Sequence, residues 1–181
     1  MRVAIVYESL FGNTRQVAEA IADGVRESRP DAEIDCLRVE EATPERVAAA
    51  DLLVVGGPTH MRGMTSGLSR KMGLQAEQKE SEDDQDQEKT RHEPEEGAEG
   101  PGVRDWFHGL SKTRNGARAA AFDTRADFRL AGGAAHAIAR RLRTHGYQLA
   151  AEPEGFIIED TEGPLREGEL DRAKAWGSAL D

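Results

Sequence analysis

The sequence predicts an α/β protein: a doubly wound, three-layer α/β/α sandwich around a five-stranded parallel sheet. Two observations carry this expectation. Short apolar runs alternate with amphipathic helical patterns five times along the chain, which is how successive βα units read. One run, DLLVVGG at Asp51–Gly57, is unbroken, as a central strand covered on both faces requires. Right-handed crossovers restrict the topology. In such sheets a ligand sits beyond the carboxyl ends of the strands, where the strand order reverses. The loops after the first, third and fourth strands are therefore the ones to search.

Arg2–Tyr7 (RVAIVY) is the first strand. The first helix runs from Asn13 to about Ser28 and turns Val17, Ala18, Ile21, Ala22 and Val25 to one face. Asn13 with Gln16 three residues later gives it a capping-box-like start. Ala32–Val39 is the second strand, and TPERVAAA is a short helix with Thr43 as N-cap and Pro44 at its first position. Asp51–Gly57 is the third strand. Gly102–Ser111 is a helix with Val103, Trp106, Phe107 and Leu110 inward, and Ala117–Asp123 is the fourth strand. A helix over Gly133–His145, built on Ile138 and Leu142, stops at Gly146. YQLAA and GFIIED form a split or paired fifth strand. The last helix, Glu167 to about Leu180, turns Leu170, Ala173, Trp176 and Leu180 inward.

The alternation breaks once. From about residue 75 to 101 the chain is acidic, rich in Gln and almost free of large apolar side chains. Such a stretch buries too little surface to offset its ordering entropy, so it reads as a flexible insertion in a single domain spanning 1–181. Glu77–Glu99 holds eleven acidic and three basic residues, which is −8 of the formal net charge of −10. The remainder is nearly balanced and lacks the basic stripe of a nucleic-acid binder. The insertion reads as a solvated loop or as a docking tail for a basic partner. Cys36 is the one cysteine. That excludes a disulfide framework and CxxC motifs, and its strand setting suggests a small, half-buried side chain. No apolar leader and no run long enough to span a bilayer is visible, so a cytoplasmic protein without membrane partners is expected. The five histidines show no metal-ligand spacing. Trp106 and Trp176 sit at helical spacing with other apolar residues, as core side chains do.

The first loop, ESLFGNT, joins a strand end to a helix start, where free N–H groups and a partial positive charge suit an anion. Ser9, Asn13 and Thr14 add donors, and Gly12 allows close approach or a positive φ. Neither G-x-G-x-x-G nor the P-loop lysine motif is present. The loop is thus suited to a monophosphate, or is an ordinary helix cap. The second loop, GGPTHMRGM at Gly56–Met64, offers Met61 and Met64 to a flat ring, or is a tight turn into the insertion. In the third, Asp123 and Thr124 end the fourth strand, Phe128 is the nearby aromatic, and Asp123 either faces a ligand or caps a turn.

Together the three loops resemble those of the flavodoxin family, whose members bind flavin mononucleotide (FMN). Ser9, Gly12, Asn13 and Thr14 match the phosphate motif. GGPTHMRGM is similar to the G-x-P-T-x-x-x-G-M loop of flavodoxin-like quinone reductases and of the flavodoxin domains of flavodiiron proteins. The final helix is also similar. The resemblance implies strand order 2-1-3-4-5, with FMN at the switch point between strands one and three. It implies that Ser9, Gly12, Asn13 and Thr14 bind the phosphate, helped by the N–H groups of Leu10 and Phe11. Pro58, Thr59, His60, Met61, Arg62, Gly63 and Met64 would flank the flavin ring, and Asp123, Thr124 and Arg125 would form the third loop. Many members place Tyr or Trp where Arg125 stands here, with Phe128 as a substitute. With His60 and Arg62 and no acid in the ring loop, reduced flavin is expected to be a weaker reductant than in a typical flavodoxin.

The expected function is electron transfer with FMN as cofactor, to a redox partner protein or a small electron donor or acceptor. The alternatives are an FMN-dependent NAD(P)H:quinone oxidoreductase-type enzyme and a flavin-free interaction module. A receiver-type signalling domain is disfavoured because VVGGPTH supplies no acidic cluster.

Overall fold

The computed structural model describes residues 1–60, 63–64, 100–113, 117–127, 133–160 and 162–180, with His60, Gly63 and Met64 described by their backbone alone. Most of the 75–101 stretch, together with Met61, Arg62 and Phe128, lies outside the described residues.

The strands are β1 (Arg2–Tyr7), β2 (Glu33–Arg38), β3 (Leu52–His60), β4 (Gly63–Met64), β5 (Arg118–Ala126), β6 (Gln148–Leu149) and β7 (Glu154–Ile158). The helices are α1 (Asn13–Ser28), α2 (Pro44–Ala48), α3 (Val103–Gly109), α4 (Ala134–Thr144) and α5 (Glu169–Ala179). The sheet runs β2-β1-β3-β5-β6, with β7 also on β5. β6 pairs with Arg118–Ala119 and β7 with Phe122–Ala126, both parallel. The two short strands therefore continue one line and form the split fifth strand, so the five-strand order is 2-1-3-4-5.

Both faces of the sheet are covered. On one, Val3, Ile5, Leu52, Val54, Ala120, Phe122 and Phe156 pack against Val17, Ile21 and Val25 of α1 and against Ala173 and Leu180 at α5. On the other, Ala4, Val6, Leu53, Val55 and Ala121 meet Val47, Phe107, Ile138 and Leu142. Alternate residues of β3 thus enter both cores, as its unbroken apolar run required. The expected inward face of α1 is buried throughout. Cys36 is half-buried, and burial pushes its thiol up to about 12. Trp106 packs on the second core and donates its indole N–H to the Ala42 carbonyl at 2.8 Å. No helix among the described residues is long and apolar enough to cross a membrane.

Two expectations are corrected. Leu170 is 42% exposed. The inward place in the first turn of α5 is taken by Glu169, whose carboxylate accepts the Ile157 N–H at 2.8 Å. Asn13 is not the N-cap of α1. Gly12 is, at φ 85°, ψ −15°, and no side chain caps the helix. The left-handed turn that glycine permits puts Asn13 already inside the helix, where its amide is free to reach elsewhere.

Candidate functional site

β1 delivers Tyr7 and Glu8 to the carboxyl edge of the sheet, and the Glu8 N–H extends the β1–β3 ladder to the Gly56 carbonyl. The chain then folds tightly. The Gly12 N–H donates to Ser9 Oγ at 3.1 Å, and the Gln16 N–H closes the first helical turn on the Gly12 carbonyl. Ser9, Asn13 and Thr14 are 1%, 8% and 2% exposed, although each carries polar atoms that must be satisfied. The first turn of α1 holds no acidic residue, so nothing there opposes an anion at the positive end of a 16-residue helix.

Neighbouring elements brace this loop. Thr14 Oγ1 and Thr124 Oγ1 lie 2.8 Å apart and share a hydrogen bond. Asn13 Nδ2 donates to the Glu162 carbonyl at 2.7 Å, and Arg38 Nη2 donates to the Ser9 carbonyl at 3.3 Å. The Glu8 side chain, 1% exposed, accepts the Val103 N–H at 2.8 Å and holds the start of α3.

β3 runs three residues past the expected end, through Pro58 and Thr59 to His60, and turns back into β4 by pairing Thr59 with Met64 and His60 with Gly63. The register sets Gly57 beside Asp123 and Pro58 beside Thr124. The second and third loops therefore lie side by side, and Thr124 links them to the first. At Gly56 a Cβ would meet the Phe122 ring at 2.0 Å, so only glycine lets β3 pass over that aromatic.

The Asp123 side chain is turned inward, at 0% exposure. Oδ2 accepts the Ala135 N–H at 2.8 Å, and Arg125 Nε lies 3.7 Å from Oδ1. Burial pushes this carboxyl above its usual range. The Ala135 N–H, Arg125 and the Thr59 hydroxyl offset that only in part. Arg125 lies over two glycines: a Cβ on Gly133 or Gly155 would come within 2.3 Å of its guanidinium. Sequence reading missed Glu8, Arg38 and the Glu162–Gly163 turn. Of these, only the carboxylate set directly behind an apolar strand gave a signal.

The cluster has the chemistry of a phosphate cradle. It offers the N–H groups of a helix's first turn, which have no intrahelical partner, and the hydroxyls of Ser9 and Thr14. Its left-handed glycine clears the approach. A doubly wound sheet with this cradle after β1 and two further loops at the ends of β3 and β5 has the layout of an α/β protein with its ligand edge at the carboxyl ends of the strands. The family model for flavodoxin matches residues 5–92. A flavodoxin from Aquifex aeolicus is 43% identical over 60 residues, which cover 33% of this chain and 32% of that one. The chain thus spans about a third of the length of this curated relative. Two solved structures share the fold over 99% of this chain. Flavodoxin 1 from Bacillus cereus has a TM-score of 0.65 at 14% identity, with 97% of that chain covered. An archaeal flavodoxin has a TM-score of 0.61 at 19% identity, with 96% covered. Residues 5–92 are thus similar to the flavodoxin family, and the two solved structures share this chain's fold.

Proposed function

We propose that the protein binds FMN and carries electrons between redox partners, as one domain over 1–181 with an insertion at about 75–101. The observation that supports this best is the buried Ser9–Thr14 cradle at an acid-free helix start. In this reading Ser9, Gly12 and Thr14 hold the phosphate together with the N–H groups of Leu10, Phe11 and Asn13. The Pro58–Met64 loop lies along the ring, and Thr124 and Arg125 border it, while Asp123 acts from beneath through α4. The flavin supplies the redox chemistry when bound; the protein sets its orientation, solvent access and electrostatics. The ring loop carries Arg62 and the titratable His60 and no acid, and positive charge there would make the reduced flavin a weaker reductant.

The test is visible absorption of purified protein titrated with FMN, with riboflavin as control. FMN retained far more tightly than riboflavin supports the phosphate cradle, and no binding of either overturns the reading. Turnover of NADH or NADPH with a quinone at enzymatic rates would replace the carrier by an enzyme. A very low potential for the reduced couple would overturn the assignment to His60 and Arg62.

A further inference from the structure

The amide of Asn13 is committed to the far end of the chain. It donates to the carbonyl of Glu162, 149 residues away, at 2.7 Å. Gly163 follows at φ +114°, and a Cβ there would stand 2.6 Å from both Asn13 Nδ2 and Oδ1. The turn is closed from within: the Glu159 N–H bonds to the Pro164 carbonyl at 2.9 Å and the Gly163 N–H to the Asp160 carbonyl at 3.4 Å. The β7–α5 turn therefore presents a carbonyl and a bare Cα to the cradle, and Asn13 fills the space that a side chain at 163 would take.

We propose that Asn13 and the Glu162–Gly163 turn form a latch that shapes the phosphate cradle before any ligand arrives, and that Asn13 acts as a positioning residue and not through its amide on the phosphate. This rests on the FMN reading above and refines it. Side-chain contact with the phosphate falls to Ser9 and Thr14. Asn13 contributes its backbone N–H, fixed in direction because its side chain is tied down. A pre-shaped cradle spends less of the phosphate's interaction on ordering the loop, so the latch governs the preference for FMN over riboflavin.

The experiment has two readouts. In ligand-free protein, amide exchange at Glu159 and Gly163 reports the latch itself. N13A is expected to speed exchange there about tenfold, the loss of one hydrogen bond, and S9A to leave it unchanged. In binding, N13A and G163A each weaken FMN about tenfold and leave riboflavin unchanged, and the double variant is no weaker than either single, because both break one device. If N13A does not fold, N13D keeps the shape, loses the donor and carries the same exchange prediction. Unchanged exchange in N13A, or additive losses in the double variant, would overturn the latch and make Asn13 a direct ligand. A wild-type protein that binds no FMN would sink the flavin reading alone, and the exchange result would still decide the latch.

Discussion

Thr59 and Asp123 cap the same helix from neighbouring strands: Thr59 Oγ1 accepts the Ala134 N–H at 2.9 Å and Asp123 Oδ2 accepts the Ala135 N–H at 2.8 Å. α4 has no cap from its own Gly133. The ends of β3 and β5 supply it, so the position of α4 is tied to the two loops beside the cradle. T59V is expected to cost about 1 kcal/mol and D123A about 1–2 kcal/mol, read as urea midpoints.

Asp123 also carries a pH signature. Its folded carboxyl lies above the ordinary value of 3.8, chiefly through burial. The folded state therefore holds a proton that the unfolded state has lost, between 3.8 and that raised value, and this group's contribution to stability falls as pH rises through the window. D123N retains an acceptor for Ala135 and does not titrate. The wild type should gain stability relative to D123N as pH drops from neutral toward 4. Parallel stability curves across that range would refute the assignment.

Glu169 has the opposite sign. Burial acts to raise its carboxyl, but hydrogen bonds from Arg172 and the Ile157 N–H, with the nearby positive charges, outweigh this and hold it below 4.5. It stabilises the fold above that value, and the contribution is lost as pH falls through the lower folded value. Arg172 meanwhile donates to the Gly155 carbonyl and to Glu154, and lies 4.5 Å over the Phe156 ring. Together they occupy backbone groups on the side of β7 away from β5, whose far end is covered by Pro164–Arg166, and so blunt the kind of edge that otherwise invites intermolecular pairing. E169Q should lose about 1 kcal/mol at neutral pH and progressively less in acid. R172M should aggregate more readily on heating, as light scattering would report.

The α1–α5 contact is set by glycines. A Cβ on Gly24 would stand 1.9 Å from the Lys174 carbonyl oxygen, and one on Gly177 2.4 Å from that of Ile21. Backbone cannot give way as a flexible side chain can, so G24A is expected to cost about 3 kcal/mol or more. G109A, where a Cβ would meet nothing within 4 Å, is the control and should be nearly neutral. Equal denaturation midpoints for the two variants would contradict this packing.

The buried pair Thr14–Thr124 is a double-mutant cycle in waiting. T14V or T124V alone leaves one hydroxyl buried without its partner and should cost about 1–3 kcal/mol, whereas T14V/T124V should cost clearly less than the sum. The same cycle in FMN binding separates the two residues: T14V is expected to weaken FMN, and T124V to do so only through Thr14.

Much of this was readable from periodicity. The inward face of α1, the doubly buried β3 and the split fifth strand all follow from where apolar residues fall within one segment. The failures share a different cause. The Asn13 amide is directed by a carbonyl 149 positions away, and local pattern reads it as a cap because Asn before a helix usually is one. Thr59 and Asp123 meet on α4 only once β3 and β5 are in register. Leu170 looked inward because its spacing is right, but Glu169 holds that turn for the sake of β7. The two-residue β4 is too short to leave any periodic trace.

On either side of the segment that holds the acidic stretch, a described residue is fastened to the sheet: Met64 pairs with Thr59, and Val103 is held by the buried Glu8 carboxylate. Between two points fixed in this way, doubling the length of a flexible loop costs only about 0.6 kcal/mol in closure entropy. This makes the site a natural port for grafting. A peptide, tag or second domain spliced between these anchors would begin and end at points tied to the carboxyl edge of the sheet.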